Sequence, residues 1–271
     1  MNAQWTVAAA ALLALLLTAA MAWSGRQQPG SSHRSRTRLN PAAYLRGLPV
    51  LLVAALVACA PSGRAPSQKE VRKLAGSQEA MQARLQAEKD IRALVNAFGT
   101  NTRLVHGLTV VQDTCVGGVA RQYFFQDGDD QYKIRCWLTG TAYYTAPRSD
   151  LIDVLTSIEV EGERAGSLVP FDRDSLRYSL AYYRNDGKVD GQRILEPHLR
   201  EPTLTLEWDH LYSSTQITEV EPCQSDDPPV YRCLREPEQA TIRQLRERGM
   251  VFKLSISPRE YYYVTKSGET K

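Results

Sequence analysis

The sequence predicts an α+β domain in which helices pack on one face of a mixed or antiparallel sheet, behind an apolar N-terminal membrane segment. Three observations lead to this prediction. Segments of strand-like composition are spread over residues 100–271, with two helical patterns between them. Residues 67–99 are rich in Ala, Gln, Glu, Lys and Arg and contain no proline, which is typical of a helix. Two apolar runs lie within the first 59 residues.

Charge is unevenly distributed along the chain. Five of the 33 Lys and Arg residues lie in the first 59 residues, which contain no Asp, Glu or Lys. The other 28 basic residues are matched by 30 acidic ones, so the net charge of +3 comes from the leader. A nucleic-acid-binding domain would carry a basic patch, and no basic run follows residue 59. We therefore expect no nucleic acid among the partners.

The first apolar run makes residues 1–23 a transmembrane or leader segment, since its uninterrupted stretch of about 19 residues just spans a bilayer. Residues 24–46 are polar and basic, and the positive-inside rule places them in the cytoplasm. Two interpretations remain open. Translation starts near residue 39, or the first run is a true transmembrane helix. Both interpretations place the chain after about residue 60 outside the cell membrane.

The second apolar run, residues 47–59, is too short to span a bilayer and has the length of a signal-peptide apolar region. Its last residues, Leu56-Val57-Ala58-Cys59, resemble the lipobox of bacterial lipoproteins. The resemblance implies that the Cys59 thiol carries diacylglycerol, that the chain is cut before Cys59, and that membrane lipid is a partner. A lipobox normally lies closer to the start of a chain. Two other interpretations of this second run remain. One is an ordinary signal peptide that is cut after Ala60, which Pro61 disfavours, and the other is a buried core helix.

The other four cysteines, Cys115, Cys136, Cys223 and Cys233, are expected to form two disulfides, in agreement with export to an oxidising compartment. Short loops close more easily, which favours Cys115–Cys136 and Cys223–Cys233 over the other two connectivities. A zinc site would need cysteine pairs that lie closer together in sequence. We therefore expect no metal, and we expect no cofactor either.

Residues 60–66 form a tether to the helix over 67–99, which we interpret as a membrane-proximal stalk whose last turns dock on the domain. Ser67 and Glu70 match a capping box at the helix start, and Gly99 is predicted to end the helix. In the domain, residues 100–271, helices are expected over 149–162, capped by Ser149, and over 236–249. Strands are expected over 104–111, 134–144, 176–183, 204–208 and 251–264, with turns at 127–130 and 185–187.

Two helix-then-strand segments, 149–183 and 236–263, suggest a duplicated α/β unit. Three predicted strands end in tyrosines, and tyrosine suits both half-buried strands and ligand surfaces. If these ends meet at one sheet edge, they form an aromatic platform. The candidate ligand surface consists of Tyr143, Tyr144, Tyr182, Tyr183, Tyr261, Tyr262 and Tyr263.

The lipobox, the helix after it, the Cys115–Cys136 segment with its Tyr-Tyr ending and the following helix together resemble cell-envelope lipoproteins of actinobacteria whose activity is uncharacterised. That resemblance implies no reaction. The sequence also lacks the motifs of the common hydrolases, metalloproteases and nucleotide-binding proteins.

We therefore expect a membrane-anchored, non-enzymatic lipoprotein that binds an envelope protein or a wall component. The first alternative is an envelope hydrolase built around His198 or His210, which together with His106 are the histidines of the domain. The second is a membrane sensor or accessory subunit. The acidic turn residues Asp127, Asp129 and Asp130, and those near Asn185, are explained by turn formation without a bound cation.

Overall fold

A six-stranded antiparallel sheet forms the centre of the fold in the computed structural model, which describes residues 64–120, 128, 131–189, 191–219 and 228–270. The two apolar runs, Cys59, the tether before residue 64, Cys223 and most of the predicted 127–130 turn lie outside the described residues. Contacts group Pro61–Lys271 into one unit.

The strands of the sheet follow the order β5-β6-β8-β2-β1-β7, and each described pair of neighbours is antiparallel. The antiparallel alternative of the predicted sheet is therefore confirmed. A separate hairpin joins β3 to β4. The strands are β1 (Val105–Gly117), β2 (Tyr132–Ala146), β3 (Lys188–Val189), β4 (Gln192–Arg193), β5 (Leu199–Arg200), β6 (Leu204–Trp208), β7 (Val230–Glu236) and β8 (Met250–Thr265).

The helices lie on both faces of the sheet. They are α1 (Gln68–Ala75), α2 (Gln78–Asn101), α3 (Leu151–Gly162), α4 (Arg173–Arg184) and α5 (Ile242–Arg248). Ile91 of α2 shares a core cluster with Ala142 and Tyr144 of β2, whereas Leu245 of α5 packs with Tyr143. Successive strand residues point to opposite faces. The prediction that all helices lie on one face is therefore wrong for α5.

The long helix predicted over 67–99 is two helices. The Ser67–Glu70 capping box is present, with each backbone amide donating to the partner's side chain at 3.3 Å. The chain then breaks at Gly76, and Ser77 caps α2 by accepting from the Ala80 amide at 3.2 Å. Gly99 does not end this second helix, which continues to Asn101.

Both N-terminal helices are packed on the sheet, starting in the first turn of α1. Val71 is 1% exposed in a core cluster with Cys115 and Cys136. Along α2, Ile91 is fully buried. A Cβ atom added to Gly140 of β2 would lie 2.9 Å from Ile91 Cγ2, so the glycine allows this close approach.

The segment 176–183, predicted as a strand, is part of helix α4. Asp172 caps this helix, since its carboxylate accepts from the Ser175 amide at 3.0 Å. Leu176 and Leu180 are buried, while Tyr178 is 44% exposed, as a helical period requires. The duplicated α/β unit is therefore also wrong, because a helix–helix pair cannot repeat a helix–strand pair.

Two helix boundaries differ from the prediction as well. Ser149 does not cap α3. It lies in a short 3₁₀ turn, Arg148–Asp150, and its hydroxyl donates to Asp150 Oδ1. The helix predicted over 236–249 begins only at Ile242, behind a capping box formed by Thr241 and Gln244, because Glu236 still belongs to β7. Ile242 and Leu245 point inward as predicted.

Candidate functional site

The predicted tyrosine platform is not formed, because most of its members are core residues. Relative exposure is 0% for Tyr143, Tyr144 and Tyr182, and 4% for Tyr183 and Tyr262. Tyr261 and Tyr263 are partly buried. The register places Tyr144 opposite Phe252 and Tyr262 opposite Cys136, so these two tyrosine groups lie at opposite ends of the β2–β8 pair.

Tyr183 instead belongs to a buried chain of hydrogen bonds that ends on a carboxylate. The indole Nε1 of Trp208 donates to the Tyr183 hydroxyl at 2.7 Å, and that hydroxyl donates to Glu196 Oε2 at 3.1 Å. Burial raises the pKa of Tyr183 well above its ordinary value, and Glu196 adds to this effect. Tyr183 therefore remains a neutral donor that orients Glu196.

Glu196 fixes the loop that follows β6. Its carboxylate accepts from the backbone amides of Leu211 at 2.8 Å and Tyr212 at 2.6 Å. The residue is 8% exposed, so these bonds are shielded from water. Buried carboxylates require such partners, and the result is a loop held in one conformation next to His210.

A second buried carboxylate, Asp209, fixes the same loop from the other side. It accepts from the amides of Ile217 at 2.7 Å and Val251 at 3.1 Å. Arg246 of α5 binds both of its oxygens at 3.1 Å and also donates to the Ile217 carbonyl. This fork-to-fork pairing is the strong form of an arginine–carboxylate contact.

Asp209 and Arg246 also line a cleft of about 310 Å³, which we name the Arg148–Arg246 cleft. It is lined by Arg148, Asp209, His210, Ser213, Gln216, Arg246, Gly249 and Met250. The volume is at the lower end of the range of small-molecule sites, about 300–1,000 Å³. Of these residues, only His210 was a candidate from the sequence.

Arg148 is the exposed cation of this cleft. Its Nη2 donates to the carbonyls of His210 at 3.2 Å and Leu211 at 2.8 Å. Within the described part of the chain, no carboxylate lies within ion-pair distance of Arg148. Its Nε and Nη1 groups are thus available to a ligand.

His210 and Ser213 are in contact but do not have the geometry of a catalytic triad. Ser213 Oγ lies 2.8 Å from His210 Nδ1, and Glu196 Oε1 lies 3.9 Å from the same nitrogen. A triad needs the nucleophile and the carboxylate on opposite ring nitrogens. Asp209, next to His210 in sequence, lies after the end of β6 and is bound by Arg246 of α5.

The other two candidate histidines lie elsewhere. His198 is exposed in a more open groove with Tyr178 and Asp174. His106 Nε2 lies 2.7 Å from Thr109 Oγ1, and its ring packs edge-on against Tyr144. Desolvation lowers the pKa of His106, which favours its neutral form.

A third polar cluster lies under α2, between the helix and the sheet. Asp113 of β1 is 3% exposed and accepts from the Tyr261 hydroxyl at 2.7 Å. Arg84 approaches the other carboxylate oxygen only to 3.8 Å. Burial raises the pKa of Asp113 above its ordinary value, while Tyr261 and Arg84 act in the opposite direction. The cluster is covered by the helix.

The predicted Cys115–Cys136 disulfide is present and joins directly opposed residues of β1 and β2. Both cysteines are fully buried. Cys233 is also disulfide-bonded. Its predicted partner Cys223 and the predicted lipid-bearing Cys59 lie outside the described residues.

Over the ranges that the structure describes, no group of His, Cys, Asp and Glu is arranged to hold a metal ion. None of the helices in that part of the chain has the length and apolarity needed to cross a bilayer.

No protein-family model, curated protein or solved structure shows significant similarity to this chain.

Proposed function

We propose that the chain is a membrane-anchored extracytoplasmic lipoprotein whose domain binds an envelope ligand without chemically changing it. The disulfide between Cys115 and Cys136 carries the proposal, because such bonds form and persist outside the reducing cytosol. Cys233 is also oxidised, and pairing with its predicted partner Cys223 would leave the lipobox-like Cys59 for acylation.

The domain supports a binding role in a second way. Asp209 and Glu196 fix the loop around the Arg148–Arg246 cleft, so a ligand would meet a preformed surface. Preorganisation of this kind reduces the entropy lost on binding. The carboxylates that would serve as acid or base are already occupied by amides, a tyrosine and an arginine.

The intact mass of the full chain, purified from the membrane fraction, tests the anchor. We expect the mass of residues 59–271 plus an acyl-glycerol group, less the hydrogens lost in two disulfides. The Cys59→Ala variant should keep its leader and carry no lipid. A parent mass near the full 30.3 kDa would reject processing at Cys59.

An envelope hydrolase is the second candidate, and the 2.8 Å contact between Ser213 and His210 is the observation in its favour. A fluorophosphonate probe that labels activated serines distinguishes it. Labelling of the parent that disappears in Ser213→Ala would establish a nucleophilic serine and reject the non-enzymatic role. Equal signal in both proteins is the result we expect.

A further inference from the structure

We infer that the Arg148–Arg246 cleft binds an oxyanion, the carboxylate or phosphate of a small ligand. This inference names the ligand chemistry of the binding role and therefore rests on the proposed function. It follows from the balance of donors and acceptors around the cleft.

The acceptors near the cleft are already occupied. Asp209 receives two backbone amides and the fork of Arg246. Glu196, behind His210, receives two amides and the Tyr183 hydroxyl. A cationic ligand would have to compete with these buried bonds. The cleft is therefore poorly suited to cations.

Donors, in contrast, remain available on the cleft wall. Arg148 uses only Nη2, which donates to two backbone carbonyls. Carbonyls carry no net charge, so in the described part of the chain the guanidinium has no counter-ion. Arg246 uses Nε and Nη2, which leaves Nη1. The side-chain amide of Gln216 adds a neutral donor, and His210 also lines the cleft. Guanidinium groups match the paired oxygens of carboxylate and phosphate.

The size and lining of the cleft restrict the ligand. A volume of about 310 Å³ admits a small molecule, and Gly249 and Met250 are the lining residues without a polar side chain. With two arginines and only one carboxylate, itself paired to Arg246, the lining favours negative charge. An oxyanion on a short carbon skeleton fits these features.

Calorimetric titration of the full chain in an uncharged detergent tests the inference, with inorganic phosphate and succinate as separate probes. Sodium chloride of equal ionic strength is the blank. We expect saturable binding of at least one probe. Saturation by phosphate alone identifies a phosphate site, and saturation by succinate alone identifies a carboxylate site.

Two variants and one control localise the binding. Gln216→Glu places a negative charge in the cleft without removing any hydrogen bond described for its side chain, and we expect affinity to fall about tenfold or more. Arg148→Ala should weaken binding similarly. Arg243→Ala removes the same charge from α5 at a side chain that is 92% exposed and outside the cleft, and it should bind like the parent.

Absence of saturable binding for both probes in the parent chain would overturn the inference. An equal loss of probe affinity in Arg243→Ala and Gln216→Glu would also overturn the inference, because the effect would then reflect the overall charge of the protein. The intact mass is measured separately from binding. A lipidated protein that binds neither probe would reject only the oxyanion inference, and a protein that binds a probe but carries no lipid would reject only the lipid anchor.

Discussion

The hydroxyl of Tyr261 donates to Oδ1 of Asp113 across 2.7 Å, in an interior where the carboxylate is only 3% exposed. This bond joins β8 to β1 across the intervening strand β2. The second oxygen of Asp113 has no hydrogen-bond partner in the described structure, and Arg84 approaches it only to 3.8 Å. The carboxylate is therefore incompletely compensated for its loss of water.

Asp113→Asn should change how stability depends on pH. Burial raises the pKa of Asp113, so the folded protein holds the proton more tightly than the unfolded chain does. That stabilisation is complete at pH values below the pKa of an aspartate in the unfolded chain, about 4, and it is lost as pH rises through the higher pKa of Asp113 in the folded protein. Relative to the parent, Asp113→Asn should therefore gain stability between acidic and neutral pH, as measured by urea unfolding. A difference that does not vary with pH would contradict the raised pKa.

Removal of the Cys115–Cys136 bridge should destabilise the domain. The bridge closes a separation of 21 residues, and a double Cys115→Ala, Cys136→Ala variant should lose about 2–4 kcal/mol of unfolding free energy. The control is the same comparison in urea with reductant, where the gap between parent and variant should narrow. A gap of equal size under both conditions would assign the loss to core packing instead.

Asp209→Ala should destabilise the loop around the cleft strongly. It leaves the amides of Ile217 and Val251 and the guanidinium of Arg246 without their acceptor, at a cost of about 3–5 kcal/mol. The matched control is Glu207→Ala, which breaks the more exposed pair with Lys253 and should cost less than about 1 kcal/mol. Urea unfolding and amide exchange at Ile217 give the two readouts. Comparable losses of unfolding free energy in both variants would contradict the role of Asp209 in fixing the loop.

Tyr183→Phe should cost about 1–3 kcal/mol, because it leaves the buried Trp208 indole without an acceptor and removes a donor from Glu196. Tyr178→Phe, on the same helix and 44% exposed, is the control and should change unfolding free energy by less than about 0.5 kcal/mol. The indole N–H resonance of Trp208 should shift only in Tyr183→Phe. An unchanged indole signal would show that the bond is absent in solution.

Strands with one buried face were predictable from the sequence. Leu204, Leu206 and Trp208 alternate with polar residues, and all three are at most 3% exposed. β2 and β8 were also predicted as strands, although parts of both strands are buried on both faces. The one disulfide described in full was predictable too, since the short loop between its two cysteines favours this pairing.

Helix α4 was missed because its sequence fits two periods. Leu176, Tyr178, Leu180 and Tyr182 alternate as in a strand, but Leu176, Ser179, Leu180 and Tyr183 also define a helical face. Asp172, three residues before Ser175, was the signal of a helix start that distinguishes the two. Tertiary packing, which leaves Tyr178 at the surface, is consistent only with the helix.

The cleft was not predictable because its residues are distant in sequence. Arg148 follows β2, His210 and Gln216 follow β6, and Arg246 lies on α5. Their proximity depends on β8, which pairs with both β2 and β6. His210 was the one lining residue with a role proposed from the sequence, and no local pattern connects it to residues 148 and 246.

The position of β8 also determines when the domain can assemble. This strand follows all the other described strands in sequence, yet it lies between β2 and β6, and each of these neighbours has an unpaired edge until β8 is in place. Pairings between such remote segments form slowly. If the chain crosses the membrane from its N-terminus, as proposed, the core stays open until residues 250–265 emerge. β2 and β6 would therefore lack the strand between them until β8 itself has crossed the membrane.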